Sequence, residues 1–162
     1  MWYGSRELYQ SKDSPCGVAN YDRLPTRARL AGWGMLISPK CGFCSRCDET
    51  RDHLMLACEY SHEVWKEVLL RCQSPATLLT NWSELLSWIR SSPCKKLTLL
   101  RKLASQTTVF HLWKQRNNLM HNQIAISPES VFYAIDKDLR NIISARRRSS
   151  KHFHSLMLMW LR

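Results

Sequence analysis

The sequence predicts a mainly α-helical protein, with about five helices, one small zinc knuckle and no substantial sheet. Three observations carry that expectation. Apolar residues recur at helical spacing in several separate stretches. Four cysteines and a histidine crowd into CGFCSRCDETRDHLMLAC, residues 41–58. An apolar fraction of 44% with seven tryptophans in 162 residues is enough for a well-filled core and argues against wholesale disorder.

Taken in order, residues 1–22 show no stable apolar period and read as an extended or poorly ordered lead-in. In RLPTRARLAGWGML (23–36), Pro25 and Thr26 start a helix that sets Leu30, Trp33 and Leu36 on one side, and Gly32 and Gly34 keep it short. Pro39 opens the cysteine cluster. After it, SHEVWKEVLLRC takes Ser61 as N-cap and aligns Val64, Trp65, Val68 and Leu69. QSPATLLTN is a loop by composition. WSELLSWIR (82–90) is a short helix with Trp82, Leu85, Leu86 and Ile89 on one face, and SSPC breaks it.

The strongest helical signal runs from Lys95 to about Asn122, with Leu99, Leu100, Leu103, Thr107, Phe110 and Trp113 on the apolar stripe. Lys96, Lys102, Lys114 and Arg116 fall mostly off it. Ser127-Pro128-Glu129 opens another helix, N-cap followed by proline, that turns Val131, Phe132, Ile135, Leu139, Ile142 and Ile143 inward. ARRRSSK ends that pattern, and HFHSLMLMWL reads as a last short helix. No internal repeat is present.

Composition narrows the function. The longest apolar runs are a few residues, far short of the roughly 20 that span a bilayer, so no membrane partner is expected. MWYGSRELYQSKDSP has no apolar core of a signal peptide, so secretion is not indicated. Seven cysteines, an odd number, then fit metal binding better than a disulfide framework, with Cys16, Cys72 and Cys94 as plain thiols. The net charge of +11 is uneven: residues 1–89 carry ten Lys/Arg and ten Asp/Glu, whereas residues 90–162 carry fourteen against three. Such an excess attracts polyanions, although it is equally what a solvated basic helix surface looks like.

The cluster points to zinc, which takes four thiolate or imidazole ligands in a tetrahedron at structural sites. Cys41 and Cys44 with His53 and Cys58 give C-x2-C-x8-H-x4-C and leave no open position for water. Thr50 caps a turn carrying His53, with Glu49 and Asp52 near its positive end. Spacing alone leaves rivals open. Cys44, Cys47, His53 and Cys58 serve as well by residue type, and four cysteines without the histidine would crowd three sulfurs onto one turn. Cys58-x3-His62 is a further second pair, and reduced cysteines buried without metal are a fourth reading.

LPTRARLAGWGM followed by CGFC, ETRDH, Cys58 and SHEVW resembles the zinc-binding domain that follows the reverse transcriptase in plant non-LTR (LINE-type) retrotransposons. The matching residues are Leu24, Pro25 and Thr26; Cys41 and Cys44; Glu49, Thr50 and His53; Cys58, Val64 and Trp65. HLWKQRNN (111–118) is similar to the family's downstream W-[KR]-x-R-N helix, so the likeness spans roughly residues 20–120. It implies Cys41, Cys44, His53 and Cys58 as ligands of one structural zinc, with Cys47 spare. It also implies three segments: lead-in 1–22, zinc-binding reverse-transcriptase-associated module 23–72, and basic helical tail 73–162. Family members carry an apolar, Trp-bearing helix before the LPT segment, where this chain has SKDSPCGVANYD.

No enzyme is expected. A polymerase centre needs paired aspartates for two metal ions, and no Asp-Asp pair occurs. Asp136 and Asp138 would fall on roughly opposite faces of a helix. The leading expectation is a non-catalytic module of retrotransposon origin that binds RNA or DNA. Lys40, Arg46 and Arg51 lie around the knuckle, Lys102, Lys114, Arg116, Arg146, Arg147 and Arg148 lie in the basic half, and Phe43 could stack on a base or cover the zinc turn. The alternative is an interaction or scaffold module, or a remnant of a decayed element. Its partner would be the polymerase domain of the parent element and its face would draw on Trp2, Trp82, Trp88 and Trp160, although burial in the core is the expected fate of most of these. ARRR is too short for a nuclear signal.

Overall fold

A computed structural model describes residues 15–74, 78–147 and 152–161. Among these residues the fold is mainly helical, without a sheet; one isolated antiparallel bridge joins Lys40 to Asp48. The elements are α1 (Pro15–Asn20), α2 (Arg27–Gly32), a π-helical turn (His53–Ala57), α3 (Glu59–Arg71), α4 (Trp82–Arg90), α5 (Lys95–Asn122), α6 (Pro128–Arg147) and α7 (His152–Trp160).

α5 is the axis. It lies against α1, α3, α4, α6, α7 and the π turn, and thirteen of its residues are buried. Its apolar content is therefore spread around the cylinder rather than gathered in one stripe. Leu100 and Leu103 are buried, whereas Leu99, Phe110 and Trp113 are half-buried. Ser105, Thr107 and Thr108 are buried because each hydroxyl donates to the carbonyl four residues earlier, so no donor is stranded.

α6 lies along α5 and α3 with Val131, Ile135, Leu139, Ile142 and Ile143 buried, as the 3.6-residue period requires. α7 closes this side. Trp160 is fully buried, its indole N–H donates to Asp136 Oδ1 at 2.8 Å, and its carbonyl accepts from Arg71 at 3.1 Å. Asp138 pairs instead with His111 at 2.9 Å, where burial lowers the imidazole pKa against the pull of that carboxylate.

Three expectations change. The lead-in is helical at Pro15–Asn20; residues 1–14 lie outside the described residues. α2 stops at Gly32, so Trp33 stands 69% exposed beside exposed Met35 and Leu36 instead of turning inward. Ser61 is not a cap. It sits buried within α3, and its hydroxyl donates to the Leu54 carbonyl at 2.6 Å. Of the tryptophans considered for a partner face, Trp82 and Trp160 are buried, as expected of most of them, and Trp88 is half-buried; Trp2 lies outside the described residues.

Candidate metal centre

Two backbone devices bring the donors together. The first is a tight loop. The Cys41 amide donates to the Cys47 carbonyl at 2.8 Å and the Ser45 amide to the Cys41 carbonyl at 2.8 Å. Ser45 holds φ at +56°, a left-handed conformation that lets the chain turn back directly after Cys44. The Lys40–Asp48 bridge and the bond from the Glu49 amide to the Pro39 carbonyl close the loop below it.

The second device is the π turn. At about 100° per residue, an α-helix would hold positions five apart about 140° from each other. An i+5 turn winds fewer degrees per residue and so brings the later residue back toward the first, and here the Cys58 amide donates to the His53 carbonyl at 2.7 Å. His53 and Cys58 therefore face one point. Thr50 Oγ1 accepts from the His53 amide at 3.1 Å and anchors the start of the turn. Two side chains of α3 hold its outer carbonyls: the Trp65 indole donates to Met55 at 2.7 Å, and Ser61 to Leu54.

The donor atoms of Cys41, Cys44, His53 and Cys58 all lie within 4.8 Å of one another. Cys41 Sγ and Cys58 Sγ are 3.9 Å apart, and Cys44 Sγ and His53 Nε2 are 3.3 Å apart. Tetrahedral zinc with bonds of about 2.3 Å to sulfur sets coordinated sulfurs about 3.8 Å apart, so the cage has the size of the ion. The Cys41 thiol is pulled down, chiefly by its hydrogen bond with Cys58 and further by the Cys44 and Phe43 amides. Zinc in this cage would take four ligands and cross-link the loop to the π turn. Cys47 is exposed and stays outside the cage, contributing only its carbonyl.

The comparisons with known proteins bear on the same stretch. Residues 17–65 match the family described as zinc-binding in reverse transcriptase. No curated protein and no solved structure matches the chain. The matched segment contains all four donors, and together with their geometry it makes this a zinc-binding module with one structural Cys3His site.

The cationic candidates are scattered. Lys40 pairs with Asp48 at 2.9 Å and Arg46 with Glu59, all four side chains remaining exposed. Arg51 is largely covered: it bonds Asp52 at 2.6 Å and lies 4.8 Å from the Trp82 ring centre. Lys102 and Lys114 stand exposed on α5. Arg116 is only 5% exposed and bonds the fully buried Glu49 through Nε at 3.0 Å and Nη2 at 2.7 Å. It is committed inside the protein, not off the buried face as its helical position suggests. The backbone of Arg146 and Arg147 ends α6, and Arg148 lies outside the described residues. Phe43 is half-buried and stacks on Tyr60 with ring centres 4.3 Å apart.

Sequence reasoning misses the Glu49–Arg116 pair, since it places Glu49 only near a helix end. Both residues belong to the stretches that carry the family resemblance, ETRDH and WKQRN, and a joint requirement for them is the one signal that could have found it.

Proposed function

We propose that the chain is a non-catalytic zinc module of retrotransposon origin that binds RNA or DNA through phosphates, with α5 as its principal contact. The observation that carries this reading is a lysine stripe. Lys95, Lys96, Lys102 and Lys114 are all exposed, and none has a carboxylate partner among the described residues. At about 100° per residue they share an arc of about 120° on α5. A row of unpaired cations on one rigid face suits a polyanion, and each phosphate it neutralises adds a salt-dependent increment to affinity. Zinc supports this from below, because the knuckle braces the end of the same helix.

A labelled oligonucleotide titration across salt tests the reading. Wild type is expected to bind at low salt and to release steeply as salt rises. Replacing the four lysines by glutamine should flatten the dependence of log K on log salt by roughly three units. Absence of binding to single-stranded and duplex RNA and DNA at low salt would end the proposal.

One observation favours a second reading, a docking module for the parent polymerase. Trp33, Met35 and Leu36 are exposed together on a turn where Gly34 holds φ at +87°. Crosslinking of this turn to a polymerase fragment without nucleic acid would support it.

A further inference from the structure

We infer that Glu49 and Arg116 form a positioning pair for the zinc centre, so that metal affinity depends on α5, a helix that begins well beyond the last ligand. Glu49 sits four residues before His53 in sequence and is fully buried. Its Oε1 accepts from the Arg27 amide at 2.9 Å and from both Arg116 nitrogens; its Oε2 accepts from the Gly42 amide at 3.3 Å. One carboxylate thus joins three elements: the first turn of α2, the residue between ligand Cys41 and Phe43, and α5. Arg116 Nη2 also reaches the Pro25 carbonyl at 3.4 Å, and its guanidinium lies 4.9 Å from the Trp113 ring centre.

The Gly42 bond is the link to the metal. In a C-x2-C loop, backbone amides set the direction from which the sulfurs approach. The Phe43 and Cys44 amides serve the Cys41 sulfur, and the neighbouring Gly42 amide is taken by Glu49. The end of α5 covers the same place. A methyl group built on Gly42 would meet Leu119 at 3.6 Å, Met120 at 3.8 Å and the Glu49 carboxylate at 3.9 Å. Without Arg116, Glu49 would be a buried charge with no counter-ion, and the loop would have to open to hydrate it. Opening rotates Gly42, moves Cys41 and widens the cage. The working zinc unit is then longer than the matched stretch 17–65 and extends to the end of α5. Only the zinc site is involved, and nucleic-acid binding plays no part.

The test uses the full chain and measures zinc affinity by competition with a chromophoric chelator, together with the ligand-field absorption of the cobalt-substituted site. Arg116→Met should weaken zinc at least tenfold and shift the cobalt bands. Arg116→Lys, which keeps the charge and one bond, should recover part of the loss. Leu139→Ala, remote on α6, should lower thermal stability and leave zinc affinity within twofold, which separates positioning from general destabilisation. If Arg116→Met does not fold, Glu49→Gln combined with Arg116→Met removes both charges and should fold with weakened zinc. Arg116→Met, or that double variant, holding zinc within twofold of wild type with unshifted cobalt bands would overturn the inference.

Discussion

The zinc knuckle and the α5–α6–α7 bundle each have a buried centre, but they are held by different forces. Between Pro39 and Cys58 the chain makes a loop and one wide turn, secured by backbone hydrogen bonds, a carboxylate–guanidinium pair and the convergence of four ligands. Along α6 and α7 the contacts are Val131, Ile135, Leu139, Ile143, Leu156 and Trp160, apolar groups that need nothing from outside the chain. The bundle is a standing structure and the knuckle a conditional one. Burial alone does not distinguish them; the chemistry of what is buried does.

Metal removal is the sharpest way to break the comparison and has the largest expected effect. Structural zinc contributes apparent free energies of about 10–16 kcal/mol in small finger peptides, because the ion binds only the folded form. Chelation should therefore unfold residues 41–58 and loosen the Trp65–Met55 bond, while α5, α6 and α7 stay helical. Hydrogen exchange resolved along the chain would show fast exchange in the knuckle and retained protection in Ile135–Ile143. Collapse of protection in both regions together would show that the bundle also depends on zinc. Cys41→Ser and Cys58→Ser, which remove buried ligands, should reproduce the chelated state.

The converse perturbation strikes the bundle. Trp160→Ala removes a fully buried indole and strands Asp136 without its indole donor, for a loss of about 3–5 kcal/mol in denaturant unfolding. Zinc stoichiometry should stay at one per chain, since Trp160 supplies no ligand and none of the hydrogen bonds that shape the knuckle. A zinc loss in this variant would merge the two regions into one cooperative unit.

The same contrast explains how much of the molecule is legible in the sequence. Trp82–Arg90 and Lys95–Asn122 coincide with the helices expected there, because periodicity and breakers such as SSPC act locally. Spacing narrows the ligand set, likeness to a family selects within it, and the structure brings those four donors together. What stays hidden is long-range or too short to show a pattern. Glu49 and Arg116 are 67 residues apart, and no local pattern marks a pairing across that distance. α1 has six residues with only Ala19 buried, too few to show a period. Trp33 shares the spacing of a helical face, yet α2 ends one residue before it, and the face never forms. The π turn spans the four-residue gap between His53 and Cys58 and, at five residues, is too short to show a period of its own.

A smaller effect is expected at Ser45, whose φ of +56° is a conformation where a side chain costs about 1 kcal/mol or more. Ser45→Gly should stabilise the zinc form by about 0.5–1 kcal/mol, seen as a rise in Tm. Because the strain lies in the knuckle, the gain should vanish once chelator has already unfolded that segment. An equal gain with and without zinc would mean that the loop keeps its shape unaided.

The smallest effect is expected where the sequence is most ambiguous. Cys47 completes a second C-x2-C with Cys44, and by residue type it competes with Cys41. The fold separates them by their partners. Cys41 is buried, 3.9 Å from Cys58 and served by two loop amides, whereas Cys47 is exposed and enters the knuckle through its carbonyl alone. That carbonyl bond survives any side-chain change, so Cys47→Ser should keep one zinc per chain and alter stability by less than about 0.5 kcal/mol. The same substitution at Cys41, in the same loop, should lose the metal. Zinc retained in the Cys41 variant and lost in the Cys47 variant would reverse the register, and Glu49 would then be bracing the wrong end of the loop.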